Sequence, residues 1–191
     1  MKTQEEKDQA LFAAAKNGHT ETCKSQLEQG ANIHARNDYA LRWAAQNGHT
    51  EVCKLFLEHG ADIHAENGKP LRWAAERGHT ETCKLLLEQG GDPHANDGRA
   101  LQLGALNGHT EVCKLFLKHG ADIHAENGKP LLWSAERGHT ETCKLLLRHY
   151  KSLAGLLTNP ELPELAKTLI REEQSRRAAQ QLKKPQPSLE I

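Results

Sequence analysis

A repeat fixes what this chain can become. The string Gly-His-Thr-Glu-(Thr/Val)-Cys-Lys begins at Gly18, Gly48, Gly78, Gly108 and Gly138, 30 residues apart each time. A constant period of this length marks stacked supersecondary units, each unable to bury its apolar face alone. A second level lies above the first. Residues 51–87 and 111–147 differ only as Glu58/Lys118, Arg72/Leu132 and Ala74/Ser134. The chain reads as one starting unit followed by two copies of a pair of units. Aromatic residues are 4% of the chain, so no large aromatic core is available. Lys+Arg and Asp+Glu number 25 each, and this balance argues against non-specific binding to nucleic acid or an anionic membrane. No apolar run approaches the ~18 residues of a membrane span. Met1–Gln9 is polar and lacks a signal-peptide apolar core. The expectation is a soluble protein of a reducing, cytoplasmic compartment.

The third unit shows how each module is built. Pro70 suits a first helical turn because its φ is already fixed. Leu71, Ala74 and Ala75 follow at i, i+3 and i+4, a narrow face of small residues that lets helices approach. Gly78 stops the helix, since glycine accepts the left-handed conformation. Thr80 and Glu81 suit the start of a second helix, with a hydroxyl cap and a negative charge near the positive end of the dipole. Thr82, Cys83, Leu86 and Leu87 form its inward stripe, and Gly90 ends it. Gly91–Ala95 reads as an extended arm. Asn67-Gly68, Asp97-Gly98 and Asn127-Gly128 read as tight hairpin tips, because both central residues of such turns need positive φ.

Helix, glycine turn, helix, glycine stop, arm and tip together resemble the ankyrin repeat. The residues that carry the likeness are Pro70-Leu71-x-x-Ala74-Ala75, Gly78-His79-x-Glu81, Lys84-Leu85-Leu86-Leu87 and Gly120-Ala121-Asp122. The resemblance implies an all-α ankyrin-repeat solenoid of five helix-turn-helix units with short hairpin fingers and a C-terminal helical extension. The units fall at about 5–37, 38–67, 68–97, 98–127 and 128–150. Residues 151–184 are expected to be a helical cap or a docking helix, and 185–191 a disordered tail. The family's usual repeat is about 33 residues and opens with Thr-Pro-Leu-His. Here it is shorter, with Pro70-Leu71 followed by Arg72-Trp73, a type that resembles arrays of large DNA viruses and amoeba-associated bacteria.

The two ends depart from the repeat. The first unit carries polar Ser25 and Gln26 where later units have Leu55-Phe56 or Leu85-Leu86, which suits an outer face. The fifth has Tyr150 where the others have Gly30, Gly60, Gly90 and Gly120. Its second helix is therefore expected to run on to about Leu157. A further helix is expected over 159–184, opened by Asn159-Pro160 or Leu162-Pro163, with Leu162, Leu165, Ala166, Leu169 and Ile170 as its apolar stripe. Its polar half after Arg171 is expected to project into solvent.

Chemistry-bearing residues occur in columns, and repetition itself argues against a catalytic or metal site. Cys23, Cys53, Cys83, Cys113 and Cys143 hold one position per unit. Packed helices lie roughly 8–10 Å apart, too far for a disulfide ladder. The cysteines read as small buried hydrophobes. Of the 12 histidines, five follow the turn glycine. One repeat apart, they cannot share a zinc with ligands within ~2.1 Å. They are expected to bond backbone carbonyls between units. The expectation is no catalytic residue, metal or cofactor.

Trp43, Trp73 and Trp133 share one column, with Leu103 in the fourth unit. Helical spacing pairs Trp43 with Asn47, Trp73 with Glu76 and Arg77, Leu103 with Leu106, and Trp133 with Glu136 and Arg137. Tyr39, Lys69 and Arg99 are placed near one rim by the short fingers. The resemblance implies that these positions lie on a concave face that binds another protein. The rings could equally pack between neighbouring first helices, each edge covered by the arginine one turn on, and the two roles are compatible. The resulting expectation is a monomeric, non-catalytic protein–protein interaction module. The alternative is a host-directed effector or adaptor, delivered into a host cell, whose C-terminal helix and tail carry targeting or activity.

Overall fold

A computed structural model describes residues 2–153 and 156–182. Among these residues the α-helices are α1 (Gln4–Lys16), α2 (Thr20–Glu28), α3 (Ala35–Gln46), α4 (Thr50–Glu58), α5 (Ala65–Arg77), α6 (Thr80–Glu88), α7 (Ala95–Leu106), α8 (Thr110–Lys118), α9 (Ala125–Glu136), α10 (Thr140–His149) and α11 (Glu164–Leu182). A 3-10 turn spans Leu156–Thr158, and no strand occurs among the described residues. The first helices α1, α3, α5, α7 and α9 lie side by side, each against the next. The second helices α2, α4, α6, α8 and α10 form a parallel row behind them, and α11 covers the last unit by packing on α9 and α10. This is the all-α solenoid the period implies.

The core is the period made solid. Leu11, Leu41, Leu71, Leu101 and Leu131 are all but completely buried. Beside them runs a column of small residues, Ala14, Ala44, Ala74, Gly104 and Ser134, which sets how closely neighbouring helices sit. The Ser134 hydroxyl is satisfied by the Leu131 carbonyl at 2.9 Å and lies 3.1 Å from Cys143 Sγ. The second helices add the cysteine column and Phe56, Leu86, Phe116 and Leu146, all buried. Burying each large side chain contributes about 1.5–3 kcal/mol, and only the neighbouring unit makes that burial complete.

Helix starts differ in mechanism along the chain. The first helix has a full capping box: Thr3 Oγ1 accepts from the Glu6 N–H, and the Thr3 N–H donates to Glu6 Oε2. The hydroxyl cap expected at Thr80 is not made. His79 is the N-cap and makes no side-chain cap bond. Thr80 instead lies one residue inside the helix, where its hydroxyl cannot reach back to the free N–H groups. The equivalent threonines serve the stack, with Thr50 bonding Thr82 and Thr110 bonding Thr142 at 2.8 Å.

The fingers contain positive φ as expected, but in a tighter form. Glu66, Asn67 and Gly68 are all left-handed, and the Gly68 N–H closes on the His64 carbonyl at 3.0 Å. The tip is thus one left-handed helical turn, and the arm before it is an Asx turn in which Asp62 Oδ1 accepts from the His64 N–H. The preceding finger, between the first and second units, does the same with Arg36, Asn37 and Asp38, without any glycine. Left-handed conformation costs a non-glycine residue about 1–2 kcal/mol. Here Asp38 offsets that by accepting from the Asp62 N–H, which leads into the following finger, at 2.8 Å.

The first unit holds one exception to outward polarity. Gln26 is buried, because its position faces inward in every unit, and its Oε1 has no partner. A buried unsatisfied polar group costs about 1–3 kcal/mol. Gln26→Leu, matching Leu86 and Leu146, is therefore expected to raise stability by about that amount, read as a higher urea midpoint.

At the other end the expected run-on is corrected. The tenth helix stops at His149, and Tyr150 is extended at φ −69, ψ 122. Its ring is buried edge-on against His124 with centroids 4.8 Å apart, and its hydroxyl donates to the Ile123 carbonyl. The tyrosine ends the helix by turning inward, where glycine elsewhere ends it by turning left-handed. The last helix begins after Pro163, and Leu162, Ala166, Leu169 and Ile170 are buried. Its distal half is mostly exposed, as expected, with an exception on the side that faces α10. Glu173 is buried and bound by Arg176 and Arg177, and Arg177 Nη2 donates to the Leu147 carbonyl of α10 at 2.8 Å. These charges dock because they satisfy each other and an open helix end. The expected disordered tail, 185–191, lies outside the described residues.

This clamp predicts an acid transition. The Arg176 hydrogen bond, helped by Arg177 and opposed by burial, holds the Glu173 carboxyl down at about 2. A depressed carboxylate stabilises the fold fully above the ordinary glutamate value of about 4.3 and loses that contribution as pH falls toward 2. Melting temperature should drop over that window, and Glu173→Gln should flatten the drop. Thermal melts from pH 6 to pH 2 for both proteins check it.

Candidate binding face

The row of first helices gathers the aromatic residues. Phe12, Tyr39, Trp43 and Trp73 form a continuous ladder with successive ring centroids 5.0, 5.8 and 5.9 Å apart. Leu103 holds the next place in the tryptophan column, and Trp133 the one after. Among the three tryptophans none is buried and none is fully exposed.

Cations cover the rings, though not the ones helical spacing suggests. Arg77 and Arg137 are exposed and make no ring contact among the described residues. The covering groups come from the other direction. Lys69 Nζ lies 4.8 Å from the Trp73 centroid and Lys129 Nζ 5.4 Å from that of Trp133, each four residues before its indole. Helical side chains point toward the helix N-terminus, so an indole leans over the preceding turn and not the following one. Cations also come from the previous unit: Arg42 is the second on Trp73 and Arg99 the second on Trp133, while Trp43, with Tyr39 four residues before it, has Lys16.

A further layer ties this face to the fingers. Arg42 is buried and donates to the carbonyls of Arg36 and Asn37, while its Nη1 pairs with Glu66. Arg72 donates to the Glu66 carbonyl at 2.8 Å and Gln102 to the Asp97 carbonyl at 2.7 Å. In the second, third and fourth units one side chain thus satisfies carbonyls that the left-handed turn leaves open, and Leu132 cannot do so in the fifth. Sequence reasoning passed over these residues. The available signal was a long polar side chain directly after the buried Leu41, Leu71 and Leu101.

The remaining expected site residues fall as follows. Tyr39, Lys69, Glu76, Arg99, Leu103 and Leu106 are half-buried, while Asn47 and Glu136 are exposed. Asn47 donates to the Trp43 carbonyl at 2.8 Å, closing the end of its own helix.

The columns that suggested chemistry are structural. All five cysteines are free and buried. Burial pushes the thiols up, to about 11 at Cys23 and about 12 at Cys83 and Cys113, which keeps them protonated and unreactive. The turn histidines bridge units: Nε2 of His49, His79, His109 and His139 donates to the carbonyls of Lys16, Gln46, Glu76 and Leu106 at 2.9–3.0 Å. Among the described residues, no group of three or more His, Cys, Asp or Glu is placed to hold a metal ion. No helix there is long and apolar enough to cross a membrane.

A stack of thirty-residue helix pairs, tied by bridging histidines and presenting a row of first helices, defines a repeat-array binding protein. The family model for ankyrin repeats (3 copies) matches residues 11–97 and 71–155, and the chain belongs to the ankyrin repeat family. Arrays of this family are protein–protein interaction modules. No curated protein matches the chain.

Proposed function

We propose that the chain is a non-catalytic binding protein that holds a protein partner across its row of first helices, the concave side of an ankyrin array. The observation that carries this is the tryptophan column itself. Trp43, Trp73 and Trp133 stay part-exposed and are steadied by cations, whereas indoles serving only the core would be sealed by leucine and alanine. Tryptophan and arginine dominate interface energetics, and rigid, half-desolvated indoles are well suited to anchoring. Exposed Asn47, Arg77, Glu136 and Arg137 frame the column and would set register. The apolar stripe of α11 is occupied by α9 and α10, so the C-terminal helix offers less free apolar surface than this row.

The test compares capture of a partner from cell extract by the parent, by a Trp43/Trp73/Trp133→Ala triple variant and by an Arg77/Arg137→Glu double variant. Both variants are expected to lose the partner while keeping the helical circular dichroism signal. The same captured proteins for all three would place the site elsewhere.

A further inference from the structure

The chain's own duplication constrains what its face can hold, given the reading that this face binds protein. Trp73 and Trp133 are two units apart, and their surroundings share a charge pattern although Arg42 and Arg99 hold different positions in the period and Arg72 is replaced by Leu132. Each has a lysine four residues before it over the ring, Lys69 or Lys129. Each has an arginine from the preceding unit, Arg42 at 5.9 Å or Arg99 at 5.0 Å. Each also has one carboxylate. Glu66 joins Arg42 and Lys69, and Glu126 joins Lys129. Hydrogen bonds from the two lysines hold both carboxyls below the usual range, so both are ionised. Cations outnumber the carboxylate in both, with Arg42, Lys69 and Arg72 around Glu66 and Arg99 and Lys129 around Glu126, so each module carries surplus positive charge beside a half-exposed indole. Arg99 has no ion-pair partner within 4 Å among the described residues, and its Nη1 donates to Gln102 Oε1 at 3.3 Å. Leu103 and Leu106 form an uncharged stretch between the modules.

The spacing follows from helix packing. Neighbouring helices sit about 8–10 Å apart, so equivalent points two units apart are about 16–20 Å apart. An extended chain advances about 3.3 Å per residue, which covers that distance in about six residues. We propose that the face takes an extended acidic segment of a partner protein carrying two like anchors about six residues apart, each an apolar side chain beside a carboxylate. The apolar side chain meets the indole edge and the carboxylate meets the surplus cation, so complementarity is local to each module. Single-stranded nucleic acid fits less well. It needs free ring faces for stacking, and here cations and the Trp43–Trp73 contact take them.

Four peptides and one oligonucleotide test this against the full chain, read by quenching of its own tryptophan fluorescence. The probe Leu-Glu-Pro-Ser-Pro-Ser-Leu-Glu carries two anchors six residues apart. Its controls replace the first Leu-Glu by Ser-Ser, bring the anchors to three-residue spacing, or exchange both glutamates for lysine. The oligonucleotide is a thymidine 12-mer. Two engaged modules should bind about 100-fold more tightly than one. The short-spaced peptide should behave like the single-anchor control, and the lysine peptide and oligonucleotide should not bind. Arg99→Gln, a substitution outside the buried core, should reduce the two-anchor peptide to single-anchor affinity with the melting curve unchanged. Equal binding of the one- and two-anchor peptides, indifference to spacing or charge, preference for the oligonucleotide, or no binding at all would overturn the two-anchor inference. If the Trp43/Trp73/Trp133→Ala variant still loses its captured partner in that event, the binding face stands and only the two-anchor account falls.

Discussion

Phe56→Ala is expected to destabilise the array by about 3–5 kcal/mol. The ring is fully buried in α4, at the position Leu86, Phe116 and Leu146 fill in later units. In a globule such a cavity would be felt once. In a stack it weakens two interfaces, because each unit is stabilised by the unit on either side. The duplication supplies a control. Phe116 is fully buried in the copy of the same unit, so Phe116→Ala should cost a similar amount. Urea denaturation of both variants checks this, and a loss below about 1 kcal/mol at Phe56 would mean that neighbouring units are not its source of stability.

Gly78→Ala is expected to cost about 2–5 kcal/mol, from two separable causes. Gly78 has φ +77, a conformation that charges alanine about 1–2 kcal/mol. An added Cβ would also stand 2.6 Å from Nδ1 of His109, whose other nitrogen bonds the Glu76 carbonyl. Overpacking of this kind adds about 1–3 kcal/mol. Gly138 separates the terms. Its φ is +74, and nothing lies within 4 Å of an added Cβ, because no further unit supplies a histidine there. Gly138→Ala should therefore show the backbone cost alone. Equal losses at the two glycines would mean that the bridging histidine contributes nothing to tolerance at this turn.

What could be read from sequence was whatever depends on one unit and its repeat. The glycine stops, the alanine face, the cysteine column and the bridging histidines all follow from position within the period, since each neighbour is known once one unit is known. What escaped depends on contacts outside that logic. Arg36-Asn37-Asp38 carries no glycine, so its left-handed turn is invisible until Asp38 is seen holding the Asp62 amide. Tyr150 breaks the repeat, and its inward turn onto His124 and Ile123 required the stack to be in place. The charged half of α11 looked like a solvent face because burial of Glu173 needs Arg176 and Arg177 together with an open carbonyl on α10. At the candidate face the tryptophan column is plain in the sequence, but its cations lie on the N-terminal side of each indole and not one turn after it. Counting i+4 neighbours ignores that helical side chains lean toward the N-terminus.

Site-directed photo-crosslinking asks whether a partner lies along the first helices. A photoreactive side chain is placed singly at Asn47, Arg77 or Arg137, all exposed on the first-helix row, and singly at Glu51, Lys84 or Lys114, all exposed on the second helices. One and the same protein should be joined from the first three positions and none from the others. Crosslinks to that protein from Glu51, Lys84 and Lys114, with none from Trp43's side of the array, would contradict binding along the first helices.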